Sequence, residues 1–156
     1  MIDHALQTSG VKLRHYAHRD RTGPAPAFVF YHGGGFFSGS IAHNDTIAQL
    51  IALTTGVDVV TVEYRKTPEH PYPTGFDDCY DTFLWAADND AFDKGRIAVG
   101  GISAGGSLAA SVALKARDVA GPKIAGQVLI IPGLDHRFET PSSYMDVDTR
   151  IWHRTL

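Results

Sequence analysis

The sequence predicts an α/β fold with a mostly parallel sheet flanked by helices, and three observations carry that prediction. Short apolar runs recur at 27–31, 57–62, 97–100 and 124–131. Between them lie stretches with apolar residues at helical spacing, so strand and helix alternate from residue 27 onward. The third observation is a pair of glycine-rich turns, each set at the end of an apolar run: His32-Gly33-Gly34-Gly35-Phe36 and Gly101-Ile102-Ser103-Ala104-Gly105. Loops at the carboxyl ends of strands are where open α/β sheets bind ligands.

Taken in order, Val11 to Tyr16 alternates apolar and polar residues, as a half-exposed strand near a sheet edge would. Arg19 to Pro26 is a turn marked by Gly23-Pro24 and Pro26. Ala27 to Tyr31 is a short apolar strand. Asn44 or Asp45 can cap a helix whose face is Ile47, Leu50 and Ile51 and whose stop is Gly56. Val57 to Val62 is apolar on both faces apart from Asp58 and Thr61, which predicts a strand covered on two sides. Thr74-Gly75-Phe76-Asp77 resembles a capping box with Asp in place of Glu. It opens a helix with Phe76, Tyr80, Phe83, Leu84 and Ala87 on one face. Ile97 to Gly100 is the next strand, Ala104 to Arg117 a helix ended by Gly121-Pro122, and Ile124 to Ile131 the last strand. The tail after Pro132 is polar and has no clear period.

The bulk numbers narrow the function classes. A chain of 156 residues, 44% hydrophobic and 20% charged, fits one globular domain with a real core. A net charge of -3 gives no reason to propose a nucleic-acid partner. No apolar run reaches the length of a membrane span, and the N-terminus lacks a secretory core. The single cysteine, Cys79, suits a reducing compartment and reads as a packed thiol, so the expected location is cytoplasmic. None of the eight histidines forms a metal pair, so neither a metal nor a cofactor is expected.

A serine hydroxyl is a poor nucleophile until a base takes its proton, so its placement matters more than its identity. A sharp strand-to-helix turn lifts Ser103 above the carboxyl edge of the sheet, and crowding in that turn explains glycine at 101 and 105. Gly106, Ala109, Ala110 and Ala113 then let the helix lie close on the sheet. GxSxG alone is a weak signal, and the plain alternative is a tight turn with a chance serine. The triple glycine supplies a second component. Attack on an ester makes an oxyanion, and backbone amides aimed at it contribute about 3 kcal/mol each. The amides of Gly33 and Gly34 take that role, with Ala104 as third donor; the competing reading is a flexible loop of no consequence. A dinucleotide or phosphate site fails, because neither glycine cluster fits GxGxxG and no GxxxxGK[ST] exists.

Three stretches together resemble the hormone-sensitive-lipase family of α/β-hydrolases. They are His32-Gly33-Gly34-Gly35-Phe36, the run from Tyr64 to Pro73 (YRKTPEHPYP), and Gly101-Ile102-Ser103-Ala104-Gly105-Gly106. The family's second stretch usually reads like YRLAPEHPFP and its elbow GDSAGG or GTSAGG, so Ile102 is a departure at the variable position. The resemblance covers roughly residues 11 to 152 and implies an α/β-hydrolase fold and a serine carboxylesterase acting on short acyl esters. Within the second stretch, Arg65 and Glu69 are expected to form a salt bridge fixing the loop, and His70 is read as structural. His32 is expected to orient the glycine loop through a hydrogen bond.

The triad of such enzymes runs Ser, then Asp or Glu, then His. After Ser103 come the acids Asp118, Asp135, Glu139, Asp146 and Asp148 and the histidines His136 and His153. Asp118 lies at the wrong end of its helix. Asp135 is on the correct side of the sheet, though the resemblance implies a structural aspartate there. Asp148 and His153 stand in a segment with no strand to aim them. The expectation is that residues 1–156 are the N-terminal portion of a single α/β-hydrolase domain, truncated after the strand that follows the nucleophile helix. Acid and base would then be missing, and activity of the chain alone nearly absent. The alternative is a catalytically inactive ligand-binding or fragment protein on the same fold. The expected partners are a small-molecule ester and either a second copy or a complementing C-terminal chain, because the strand at 124–131 would leave an apolar edge.

Overall fold

The structure is a computed structural model that describes residues 1–17, 21–137 and 139–145. Among these residues one sheet runs in the order β1-β2-β4-β3-β5-β6. The strands are β1 (Ile2–Ala5), β2 (Lys12–Tyr16), β3 (Ala25–Tyr31), β4 (Asp58–Val62), β5 (Phe92–Ile102) and β6 (Gly126–Ile130). β3 pairs in parallel with β4 and β5, and β5 with β6. β1 and β2 are the antiparallel margin. The expected alternation and parallel sheet are present, and β1 is an addition that puts β2 one strand inside the edge.

Alternation along β3 explains how both faces are covered. Phe28 and Phe30 pack with Val59, Ala48 and Ala52 under α1 (Ile41–Thr55). Ala27, Val29 and Tyr31 point the other way, into the larger cluster with α2 (Thr74–Asp88) and α3 (Ala104–Asp118). Successive side chains of a strand face opposite ways, so a fully apolar strand needs helices on both sides. A short α4 (Pro141–Met145) follows the sheet.

Several sequence expectations are corrected. α1 begins at Ile41, with Ser40 rather than Asn44 or Asp45 as its N-cap: the Ser40 hydroxyl accepts from the His43 amide at 3.4 Å. Asp45 is drawn instead to Arg14 and Tyr16. Leu50 is 57% exposed, and the buried stripe of α1 is Ile41, Ala48 and Ala52. The capping box at Thr74 does not form; Pro73 occupies the cap position and offers no side-chain hydrogen bond. The expected α2 face packs on the core, with Phe83 buried and Phe76, Tyr80, Leu84 and Ala87 partly so, and Asp78, Cys79, Thr82 and Ala86 are buried beside it. Cys79 is fully enclosed and burial pushes its thiol up, as a packed cysteine requires.

The two polar residues of β4 are both buried. Asp58 accepts from His15 Nε2 at 2.7 Å and is paired with Arg21, so its charge is compensated within the fold.

Candidate active site

Ser103 sits between the last residue of β5 and the first of α3, at φ 54 and ψ -122. Such a backbone is costly for a residue with a side chain and clusters at functional sites. Both main-chain groups of the serine are in use. Its N–H donates to the Ile130 carbonyl at 2.8 Å, and its carbonyl accepts from Ser107 N–H at 3.1 Å. The turn is therefore tied to β6 on one side and to α3 on the other. The expected strand-to-helix turn at Ser103 is what the structure contains.

Crowding decides the neighbouring residues. A Cβ at Gly105 would land on the Tyr31 carbonyl oxygen, and one at Gly101 would land on the Gly105 backbone. The start of α3 thus rests directly on the end of β3, which only glycine permits. Ile102, the departure from the family pattern, packs beside the cluster under α1. Its side chain points away from α3, which is why the change leaves the turn intact.

The glycine loop runs from the end of β3 and lies against this turn. A Cβ on Gly33 would come within 3.5 Å of Ser103 Cβ and 2.9 Å of the Ile102 carbonyl. Gly34 has φ +132, and its carbonyl accepts from Phe37 N–H (3.1 Å), Ser38 N–H (2.8 Å) and the Ser38 hydroxyl (2.9 Å). The loop therefore folds back on itself around Gly34. Ala104 is buried in the first turn of α3, where backbone amides have no acceptor within the helix. Gly33, Gly34, Ser103 and Ala104 are thus gathered at one edge of the sheet.

His32 is buried, and its Nδ1 lies 2.7 Å from the Gly33 carbonyl, so Nδ1 carries the proton and donates. Burial lowers its pKa, opposed by that hydrogen bond. The expected bond between His32 and the glycine loop is present. The expected ion pair between Arg65 and Glu69 is not formed. Arg65 instead grips Asp78 of α2, with Nη2 2.7 Å from Oδ1, Nε 3.0 Å from Oδ2 and its own amide 2.8 Å from Oδ2. Asp78 is buried and Glu69 exposed, so the carboxylate with most to gain from the pairing is the one that has it. His70 is exposed, and its amide donates to Lys66 at 2.9 Å. Asp78 was not singled out from sequence because its partner is reached only after the fold brings α2 against the end of β4.

The acid and base candidates are not assembled around Ser103 among the described residues. Asp118 is exposed at the far end of α3 and paired with Arg117 at 2.7 Å. Asp135 is exposed and held by Arg137 at 2.7 Å, which keeps its carboxyl well below the usual carboxylate range. His136 and Glu139 are exposed. Asp146, Asp148 and His153 lie outside the described residues. No group of three metal-binding side chains occurs among the described residues. None of their helices is long and apolar enough to cross a membrane.

A groove of about 730 Å³ opens beside the glycine loop, walled by Gly35, Phe36, Phe76, Ser107 and Leu108. Its size is that of small-molecule sites, about 300–1,000 Å³.

Residues 28–155 match the family described as alpha/beta hydrolase fold. Carboxylesterase NlhH of Mycobacterium tuberculosis is 41% identical over 134 residues, which cover 84% of this chain and 42% of that protein. Among solved structures, the esterase of the hyperthermophilic archaeon Pyrobaculum calidifontis is 40% identical with a TM-score of 0.83, covering 92% of this chain and 47% of that one. A bacterial heroin esterase is 41% identical with a TM-score of 0.87, covering 98% of this chain and 50% of that one. The chain thus spans half or less of the length of these relatives. It belongs to the α/β-hydrolase fold family, and within it to the hormone-sensitive-lipase family.

Proposed function

We propose that this chain is the nucleophile-bearing portion of a carboxylic-ester hydrolase acting on short acyl esters. Ser103 Oγ attacks the ester carbonyl and passes its proton to a histidine base. The carbonyl oxygen becomes an oxyanion held by the amides of Gly33, Gly34 and Ala104. Collapse expels the alcohol, which takes the proton, and leaves an acyl-enzyme that water hydrolyses. The observation that carries this reading is the left-handed backbone of Ser103 at the β5–α3 turn, with Gly33 packed against it. The relatives named as esterases support the reaction class.

The base and its acid come from residues beyond those gathered here, whether in the same polypeptide or in a complementing chain. Without them the oxyanion donors and binding supply only a residual rate. The single buried cysteine supports a reducing, cytoplasmic setting. A second reading, a ligand-binding protein without turnover, draws its support from the groove beside Phe36. The two separate in p-nitrophenyl acetate hydrolysis by the chain supplied with a complementing C-terminal chain. The esterase reading expects turnover that Ser103→Ala abolishes and Gly34→Val cuts by roughly a hundredfold or more. Undiminished turnover in Ser103→Ala makes another residue the nucleophile.

A further inference from the structure

The glycine loop is held from outside at its start, middle and end, and the holder each time is the short segment that leaves β4. At the start, the Tyr64 hydroxyl donates to the His32 carbonyl at 2.9 Å, and the two rings stack with centroids 4.2 Å apart. In the middle, the Thr67 amide donates to the Phe36 carbonyl at 3.0 Å. At the end, where the loop enters α1, the Ile41 amide donates to Glu63 Oε2 at 2.8 Å. The segment is itself braced. Lys66 Nζ reaches Glu63 Oε1 at 2.7 Å and the Tyr64 carbonyl at 3.1 Å, and Arg65 is locked to Asp78.

We infer that Tyr64 and Glu63 are positioning residues that set the geometry of the glycine loop from its two ends. The inference rests on the proposed oxyanion role of Gly33 and Gly34 for its meaning, but not for its geometry. A loop with glycine at three successive positions has a large conformational entropy to lose, and its internal bonds to the Gly34 carbonyl tie only its middle. Two amides converge on one oxygen only if something outside the loop removes that freedom beforehand, and misplacement by about 1 Å costs much of the benefit. Tyr64 is buried and contributes one hydroxyl at the point where β3 ends; Glu63 contributes one carboxylate where α1 begins. Neither needs to approach the substrate. Their effect passes through the His32 and Ile41 backbone, nine positions apart, with the glycines between them.

Backbone amide exchange of the 156-residue protein, read residue by residue by NMR, tests this without any need for turnover. The reporters are the amides of Phe37 and Ser38, both donated to Gly34, with Val29, Val60 and Val99 as core references. In Tyr64→Phe and in Glu63→Ala the two loop amides should exchange at least fivefold faster, with the core amides unchanged. Glu63→Gln keeps an acceptor for Ile41 and should restore most of the protection. Unchanged loop amides in both variants overturn the inference, as does equal acceleration of the core amides, which marks general destabilisation. If the loop loosens in Glu63→Ala while phosphonylation of Ser103 keeps its parent rate, the clamp stands and the oxyanion assignment falls.

Discussion

The amide of Ser103 donates to the carbonyl of Ile130 at 2.8 Å, so the candidate nucleophile hangs directly on the outermost strand of the sheet. That strand presents Val128 and Ile130 to solvent, with Val128 51% exposed, and Ile131 just after it is exposed too. Whatever covers β6 therefore also steadies the turn that carries Ser103.

An uncovered apolar edge recruits another strand. The 156-residue protein is expected to self-associate through β6 at micromolar concentration. Val128→Lys places a charge on that edge and should shift the sedimentation profile toward monomer. A parent protein that sediments as a monomer removes this expectation.

Gly105 and Gly126 give a matched pair of substitutions. At Gly105 a Cβ collides with the Tyr31 carbonyl, whereas at Gly126 no atom lies within 4 Å. Gly105→Ala should cost about 3 kcal/mol or more, because main chain must move, and Gly126→Ala should stay within about 1 kcal/mol of the parent. Urea denaturation of the two variants checks the contrast, and equal costs would contradict the close seating of α3 on β3.

The ion pair of the segment leaving β4 is tested by removing each candidate partner. Arg65→Ala takes the guanidinium from the buried Asp78 carboxylate, leaving the main-chain amide bond, and should cost on the order of 2–3 kcal/mol. Glu69→Ala lies in the exposed part of the same segment and should change stability by less than about 0.5 kcal/mol. A larger loss in Glu69→Ala would restore the pairing expected from sequence.

Those two residues show where sequence reading ran out. Arg65 reads as loop-fixing, and the acid expected as its partner, Glu69, stands in the same loop, whereas the fold supplies Asp78 from α2. The same holds for the end of α1, where Asn44 and Asp45 look like caps but Ser40 and Glu63 do that work. Ser103, Gly101 and Gly105 were legible because a tight turn imposes its demands on adjacent residues. Local constraint is written locally. β1 was not, since its four residues are mostly exposed and take their pairing from β2.

Stability should fall on mild acidification. Burial lowers the pKa of His15, against the hydrogen bond and charge of Asp58, with Arg21 and His4 facing it and lowering it further; burial likewise lowers His32. The unfolded chain then binds more protons below about pH 6.5, so stability is full above that pH and declines as pH falls through it. Glu63 titrates in a separate window: against the burial penalty, the bonds from Lys66 and Ile41 keep its pKa below 4.5, so its contribution is present above that value and lost as pH falls below it. Tm measured from pH 8 to pH 5 should decrease, and His15→Gln should flatten part of that slope. A Tm that rises over this range would mean the buried histidines gain protons on folding.

The central proposal is that Ser103 is a placed nucleophile with no base beside it among the described residues. Intact-mass and peptide mapping after exposure of the 156-residue protein to a fluorophosphonate, with and without added imidazole, tests it most directly. Imidazole can take the part of a histidine base. The account predicts slow modification alone, clear acceleration by imidazole, a single adduct on the peptide carrying Ser103, and none in Ser103→Ala. An adduct on another residue, or rapid modification of Ser103 with no imidazole present, would contradict it.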